Sequence, residues 1–136
     1  MAEPGTQRTS ATAARTAATR LPVDITSPRQ ARHFLRERLR EWGLLELADS
    51  AELMVSELVT NAIVHARSAS MLVAREDGVT LRVEVEDWGR GECTMRDWDA
   101  QAPSGRGLRF VDALAQRWGT ARTPRGKTVW FELART

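Results

Sequence analysis

Glu57-Leu58-Val59-Thr60-Asn61-Ala62-Ile63-Val64-His65-Ala66 decides how this chain is read. The stretch closes a predicted helix running from about Asp49 to Ala66. Leu53, Met54, Leu58, Ala62 and Ile63 form its apolar stripe, and Val55, Val59 and Val64 widen it. Such a helix is expected to be mostly buried. Glu57, Asn61 and His65 stand four residues apart, so they fall on one stripe and point in nearly the same direction. A carboxylate, a carboxamide and an imidazole are costly inside an apolar helix unless something satisfies them. The plain alternative is a helix with one polar edge at the surface. The chemical alternative is a cation or phosphate site, because carboxylate and carboxamide oxygens are the hard donors magnesium takes in small number.

Downstream, Ser70 to Arg75 and Val79 to Asp87 flank Asp77-Gly78, which predicts a hairpin with a tight turn. Val79, Leu81, Val83 and Val85 alternate with polar residues, the pattern of a strand covered on one face. That strand runs into Glu86-Asp87-Trp88-Gly89-Arg90-Gly91. An aspartate leaving a strand can accept a hydrogen bond from an exocyclic amine, and the two glycines admit a flat ligand close to the backbone. The same Asp and Gly also suit an ordinary turn. Residues 88–107 read as loop. Its end, Ser104-Gly105-Arg106-Gly107-Leu108, opens a helix reaching about Arg117, and a helix N-terminus favours phosphate. This is neither a Walker A sequence nor a Rossmann turn. A last hairpin pairs Thr120–Arg122 with Thr128–Leu133 across Thr123-Pro124-Arg125-Gly126.

Upstream of the central helix, Leu21 to Ile25 suggests a short edge strand. Ser27 is expected as N-cap of a helix with Pro28 in its first turn, Ala31, Phe34, Leu35, Leu39 and Trp42 on its buried face, and Gly43 at its end. Residues 1–20 carry almost no large apolar group and are expected to form a disordered tail. The domain then spans 21–136. Strands joined by hairpins, with three helices between them, predict an α+β two-layer sandwich.

Composition narrows the function classes. The chain has 136 residues with 42% hydrophobic and 28% charged content, which fits one globular domain. Lysine and arginine total 20 against 18 acidic residues, so the net charge is small. Arg29, Arg32, Arg36, Arg38 and Arg40 are interleaved with Glu37 and Glu41, which suits a solvated helix face or a protein partner better than nucleic acid. No apolar run approaches the roughly 20 residues of a membrane span, and no signal-peptide core is present. The single cysteine, Cys93, forms no internal disulfide and no cysteine-rich zinc site. A cytoplasmic location is expected.

The order of the three signals is more specific than any one of them. An acid–amide helix, then Asp-x-Gly-x-Gly, then Gly-x-Gly before a helix, closely resembles the GHKL superfamily of gyrase, heat-shock protein 90, histidine kinases and MutL. Glu57 to Ala66 resembles its N-box, Asp87 to Gly91 its first glycine box, Gly105 to Leu108 its second, and Gly126-Lys127-Thr128-Val129 its closing strand motif. The likeness covers roughly residues 22–134. It is nearest to the single-domain anti-sigma-factor serine kinases and related bacterial regulatory proteins.

The resemblance implies a Bergerat-type ATP-binding fold, with a mostly antiparallel mixed sheet and three helices on one face. It implies ATP and Mg2+ as cofactors, with Asn61 on the metal and Glu57 as general base. Asp87 would bond the adenine amino group, and Gly89 and Gly91 would make room for the base. Gly105, Arg106, Gly107 and Leu108 would serve the phosphates, and Thr128 would support the adenine. It further implies an anti-sigma factor with serine/threonine protein kinase activity. Its partners would be a sigma factor and a STAS-type anti-sigma-factor antagonist, without direct nucleic-acid or membrane binding, and members of the family often form homodimers. The alternative is a non-catalytic, ATP-dependent protein-binding switch in bacterial signalling. His65 fits the N-box but also fits a packed histidine. His33 reads as surface or core filling, Cys93 as a free thiol, and Trp118 and Trp130 as packing, with Trp88 and Trp98 as candidate lid or base contacts.

Overall fold

The computed structural model describes residues 14–89 and 111–135. Five strands form one sheet: β1 (Arg15–Leu21), β2 (Ser70–Glu76), β3 (Thr80–Asp87), β4 (Arg117–Thr123) and β5 (Gly126–Ala134). Their spatial order is β1-β2-β3-β5-β4, and every pairing is antiparallel. Helices α1 (Ser27–Glu41) and α2 (Ala48–Asn61) and a helical stretch at 111–114 cover one face. A 3-10 turn, Leu45–Leu47, links α1 to α2. The predicted α+β two-layer sandwich is therefore the observed one.

Strand alternation builds the core. Leu72 and Ala74, then Leu81, Val83 and Val85, then Val129, Phe131 and Leu133 turn inward every second residue. They meet Leu35 and Leu39 of α1, Met54, Val55, Leu58 and Val59 of α2, and Val111. Phe131 and Leu58 are at most 1% exposed, and truncating side chains buried to this degree costs about 2–5 kcal/mol. On the opposite sheet face the Arg82 guanidinium lies 4.0 Å above the Trp130 ring and pairs with Glu84 and Glu132.

Two sequence expectations shift at the N-terminal side. The first strand lies at Arg15–Leu21, not Leu21–Ile25, and residues 15–20 are sheet rather than tail. Small Ala and Thr side chains are sufficient here because the pairing supplies the hydrogen bonds and the half-exposed Arg15 is anchored on the buried Glu76. Arg15 pairs with Glu76, donates to the Trp42 carbonyl at 3.0 Å, and sits over the Trp42 ring. Residues 1–13 of the expected tail lie outside the described residues. The N-cap of α1 is Thr26, not Ser27. Asp24 Oδ1 accepts from the Thr26 amide and hydroxyl, and the buried Ser27 hydroxyl donates to the Pro22 carbonyl at 2.6 Å.

The end of α1 follows expectation. Gly43 adopts φ +73°, the Leu44 amide reaches back to the Leu39 carbonyl and the Gly43 amide to the Arg40 carbonyl. That double bond pattern satisfies carbonyls the helix would otherwise leave open. Arg36 ties α1 to α2 through Glu52 and Asp49, which raise its pKa above the usual guanidinium value.

The β2–β3 turn also forms as read, with Gly78 at φ +92°. Asp77 Oδ1 accepts the Thr80 amide at 2.8 Å and the Val79 amide at 2.9 Å. These bonds, Thr80's first, hold the Asp77 pKa below the ordinary carboxylate value. The stabilisation is therefore complete above the unfolded-state pKa and disappears as pH falls through the lower folded value. Asp77→Ala should flatten the acid limb of the stability–pH curve below about pH 4, as measured by urea midpoints across pH. An unchanged limb would mean the turn does not depend on that carboxylate. Nearby, the Arg135 amide donates to the Val79 carbonyl at 2.7 Å, so β5 ends beside the same turn as β1 begins.

Candidate functional site

The site is built where α2 ends. The chain leaves α-helical bonding after Asn61 and makes a π-helical turn, Ala62–Ala66. Single π turns of this kind occur often at functional sites because they redirect one side chain and loosen the backbone ladder. Arg67 then adopts φ +53°, a left-handed conformation costly for a side chain with a Cβ, and turns the chain toward β2. Asn61 is 2% exposed, while Glu57 one turn earlier is half-buried. His65 is exposed, so the stripe read from the sequence passes from a buried Asn61 to a solvent-facing His65 across the π turn.

Asp87 ends β3 on the inner sheet face and is 4% exposed. Its carboxylate is held from two sides. Oδ1 accepts the Gly89 amide at 3.0 Å, and Lys127 Nζ lies 3.2 Å from Oδ1 and 3.0 Å from Oδ2. Lys127 is 7% exposed and is the register partner of Asp87 across the β3–β5 ladder. A buried pair of this kind satisfies two charges that neither strand could bury alone.

Two glycines bring the pieces together. A Cβ on Gly89 would lie 2.5 Å from Ala66 Cβ and 2.8 Å from Ala66 Cα, so only glycine lets the turn after β3 rest on the end of the π turn. A Cβ on Gly126 would overlap the Asp87 carbonyl oxygen and lie 2.8 Å from Trp88 Cα. The Trp88 amide donates to Ser68 Oγ at 3.0 Å, fastening the same turn to the segment after the π turn. Arg20 and Arg125 lie 4.9 and 5.7 Å from the Trp88 ring centre, giving this end of the sheet a cationic rim. Beside it opens a cleft of about 570 Å3 lined by Trp88, Gly89, Arg122, Arg125 and Gly126 among others.

The family model described as a histidine kinase-like ATPase domain matches residues 21–133. The chain belongs to that family. It is accordingly an ATP-binding domain, and the GHKL resemblance of its sequence holds at superfamily level. No curated protein matches the chain significantly. No helix among the described residues is long and apolar enough to cross a membrane.

Within this histidine kinase-like ATPase domain, the structure brings Asp87 and Gly89 against the turn that follows Asn61. It gives Gly89 a definite task, close contact with Ala66, whereas the sequence suggested room for a base. Thr128 is not brought to this group. Adjacent strand residues face opposite ways, and Thr128 pairs with Glu86 on the outer face while Lys127 faces inward to Asp87. The expected adenine contact of Thr128 thus falls on an outward strand position. Gly91, Gly105, Arg106, Gly107 and Leu108 lie outside the described residues, as do Cys93 and Trp98.

Lys127 is the residue that the motifs overlooked. The signal was there: Lys127 stands two, four and six residues before Val129, Phe131 and Leu133, on the inward parity, as Asp87 follows Val83 and Val85. Opposite charges at inward positions of two neighbouring strands mark a buried pair once the register is known.

The donor set suits magnesium. Among the described residues no three His, Cys, Asp or Glu side chains cluster as a dedicated metal cage. The Asn61 carboxamide oxygen is a hard donor of the kind magnesium takes in small number when phosphates and waters complete its shell.

Proposed function

We propose that this ATP-binding domain is an anti-sigma factor with serine/threonine protein kinase activity, acting in the cytoplasm on a STAS-type antagonist of the same sigma factor. The observation that carries this reading is the placement of Asn61 and Glu57 one turn apart on α2, Asn61 buried and Glu57 half-exposed, at the helix end on which the Asp87–Gly89 turn rests. That arrangement supports a base-recognising carboxylate at one point and a polar pair for phosphate chemistry at another.

In this reading Asn61 holds Mg2+, which neutralises phosphate charge when bound. Glu57 has the exposure to meet a protein hydroxyl and takes its proton as that oxygen attacks the terminal phosphate. Asp87, paired with Lys127, accepts from the adenine amino group. Phosphoryl transfer asks mainly for positioning and electrostatic stabilisation, so these few side chains with the phosphate-binding loop are sufficient.

The test is a phosphotransfer assay with labelled ATP and Mg2+ on proteins captured from the organism's own cytoplasm. A STAS-type protein should be labelled on serine or threonine. Glu57→Gln should lower its phosphorylation about 100-fold or more while ATP affinity stays within about threefold. ATP binding with no transfer by the wild type would replace the kinase with the non-catalytic switch.

A further inference from the structure

We propose that Lys127 is a second base-reading residue, its ammonium donating to the N1 position of adenine beside the contact assigned to Asp87. The inference rests on the reading above, in which Asp87 meets the adenine amino group.

Hydrogen-bond capacity leads to it. A lysine ammonium carries three N–H donors and no acceptor. Among the described residues Lys127 Nζ meets only the two oxygens of Asp87, at 3.0 and 3.2 Å, which leaves one donor unspent on a side chain only 7% exposed. The carboxylate has its own remainder. Oδ1 accepts twice, from Gly89 and Lys127, whereas Oδ2 has only the ion-pair contact with Nζ among the described residues. Among the described residues the pair therefore keeps acceptor capacity at Oδ2 and one donor at Nζ, 3.0 Å apart, directly behind Trp88, Gly89 and Gly126, which line the cleft.

Adenine offers the complementary edge, with an amino donor at C6 beside an acceptor at N1. A purine with a 6-oxo group offers the reverse order, an acceptor beside an N1–H donor. A buried charged pair left short of one donor and one acceptor partner is stabilised by a ligand edge that supplies both. Lys127 thus does more than neutralise Asp87. It fixes the carboxylate as an acceptor and adds a donor at a spacing near that of the two adenine groups. Leucine or methionine at this position would fill the volume without reading the base.

The probe is ADP against 1-deaza-ADP, which keeps the amino group and replaces N1 by C–H. Affinities are measured by calorimetry or equilibrium dialysis on the full chain. Wild type should bind ADP about ten- to a hundredfold more tightly, as expected for a hydrogen bond to a charged group. Lys127→Met should bind the two nucleotides within about twofold of each other. Asp87→Asn combined with Lys127→Met leaves no buried charge, so it keeps the comparison open if the single variant does not fold, and it should also fail to distinguish them. Equal wild-type affinities, or a preference retained in either variant, would overturn the assignment of Lys127. Wild type binding neither nucleotide would overturn the adenine reading itself, a different outcome from binding both alike.

Discussion

Asp87→Ala is expected to remove about 3–5 kcal/mol of folding stability and, with it, measurable ADP binding. The reason is an asymmetry of buried ion pairs. Asp87 and Lys127 are 4% and 7% exposed and satisfy each other at 3.0 Å. Deleting the carboxylate strands an ammonium inside the protein and also takes the acceptor from the Gly89 amide. Replacing both partners by uncharged groups of similar size costs far less, because no unpaired charge remains. Asp87→Asn with Lys127→Met should therefore recover most of the stability while leaving adenine binding impaired. Small domains have only about 5–15 kcal/mol in total, so the single variant should lower the urea midpoint sharply. A loss under about 1 kcal/mol would show that the pair contributes little to the native state.

Gly126→Ala is the second large effect, expected at about 3 kcal/mol, at the upper end of the range for overpacking. Its new methyl group would meet the Asp87 carbonyl and Trp88 Cα, both backbone atoms, so no side chain can rotate away. Gly119 gives the comparison. A Cβ there would meet the Trp130 ring at 2.9–3.1 Å, and a ring on the open sheet face can shift. Gly119→Ala should thus cost clearly less than Gly126→Ala in parallel denaturation series. The Gly126 variant should also weaken ADP binding, since relief of the overlap displaces the end of β3 that carries Asp87. Equal costs for the two substitutions would mean that the β3–β5 approach is looser than these contacts imply.

Much of this was legible in the residues themselves. The period-two alternation from Val79 to Val85 and the Asp77-Gly78 dipeptide located the central hairpin, and Gly43 marked the end of α1. The order of the acid–amide helix and the Asp-x-Gly turn singled out Asn61 and Asp87, which the structure buries. What escaped has local physical causes. The strand at Arg15–Leu21 lacks large apolar groups because its hydrogen bonds come from β2 and its anchor from the Arg15–Glu76 pair, neither visible in a one-dimensional pattern. The spacing of four that joined His65 to Asn61 assumed continuous α-helix, whereas the backbone turns π after Asn61. The inward place of Lys127 was missed because a strand's inward parity is set by its partner's register, which only the folded ladder displays.

The two ends of the described chain have a consequence for how such a domain can be used. Arg15 pairs with Glu76, and Ala134 with Thr80, so both lie beside the Asp77-Gly78 turn. Asp87 and Lys127 stand at the far end of strands seven or more residues long, roughly 20 Å away. A peptide or neighbouring module joined through residue 14 or residue 135 therefore starts from the pole opposite the Asp87–Lys127 pair. The fold is suited to splicing into larger assemblies, and affinity handles or fluorescent reporters attached at either place start about 20 Å from the buried pair.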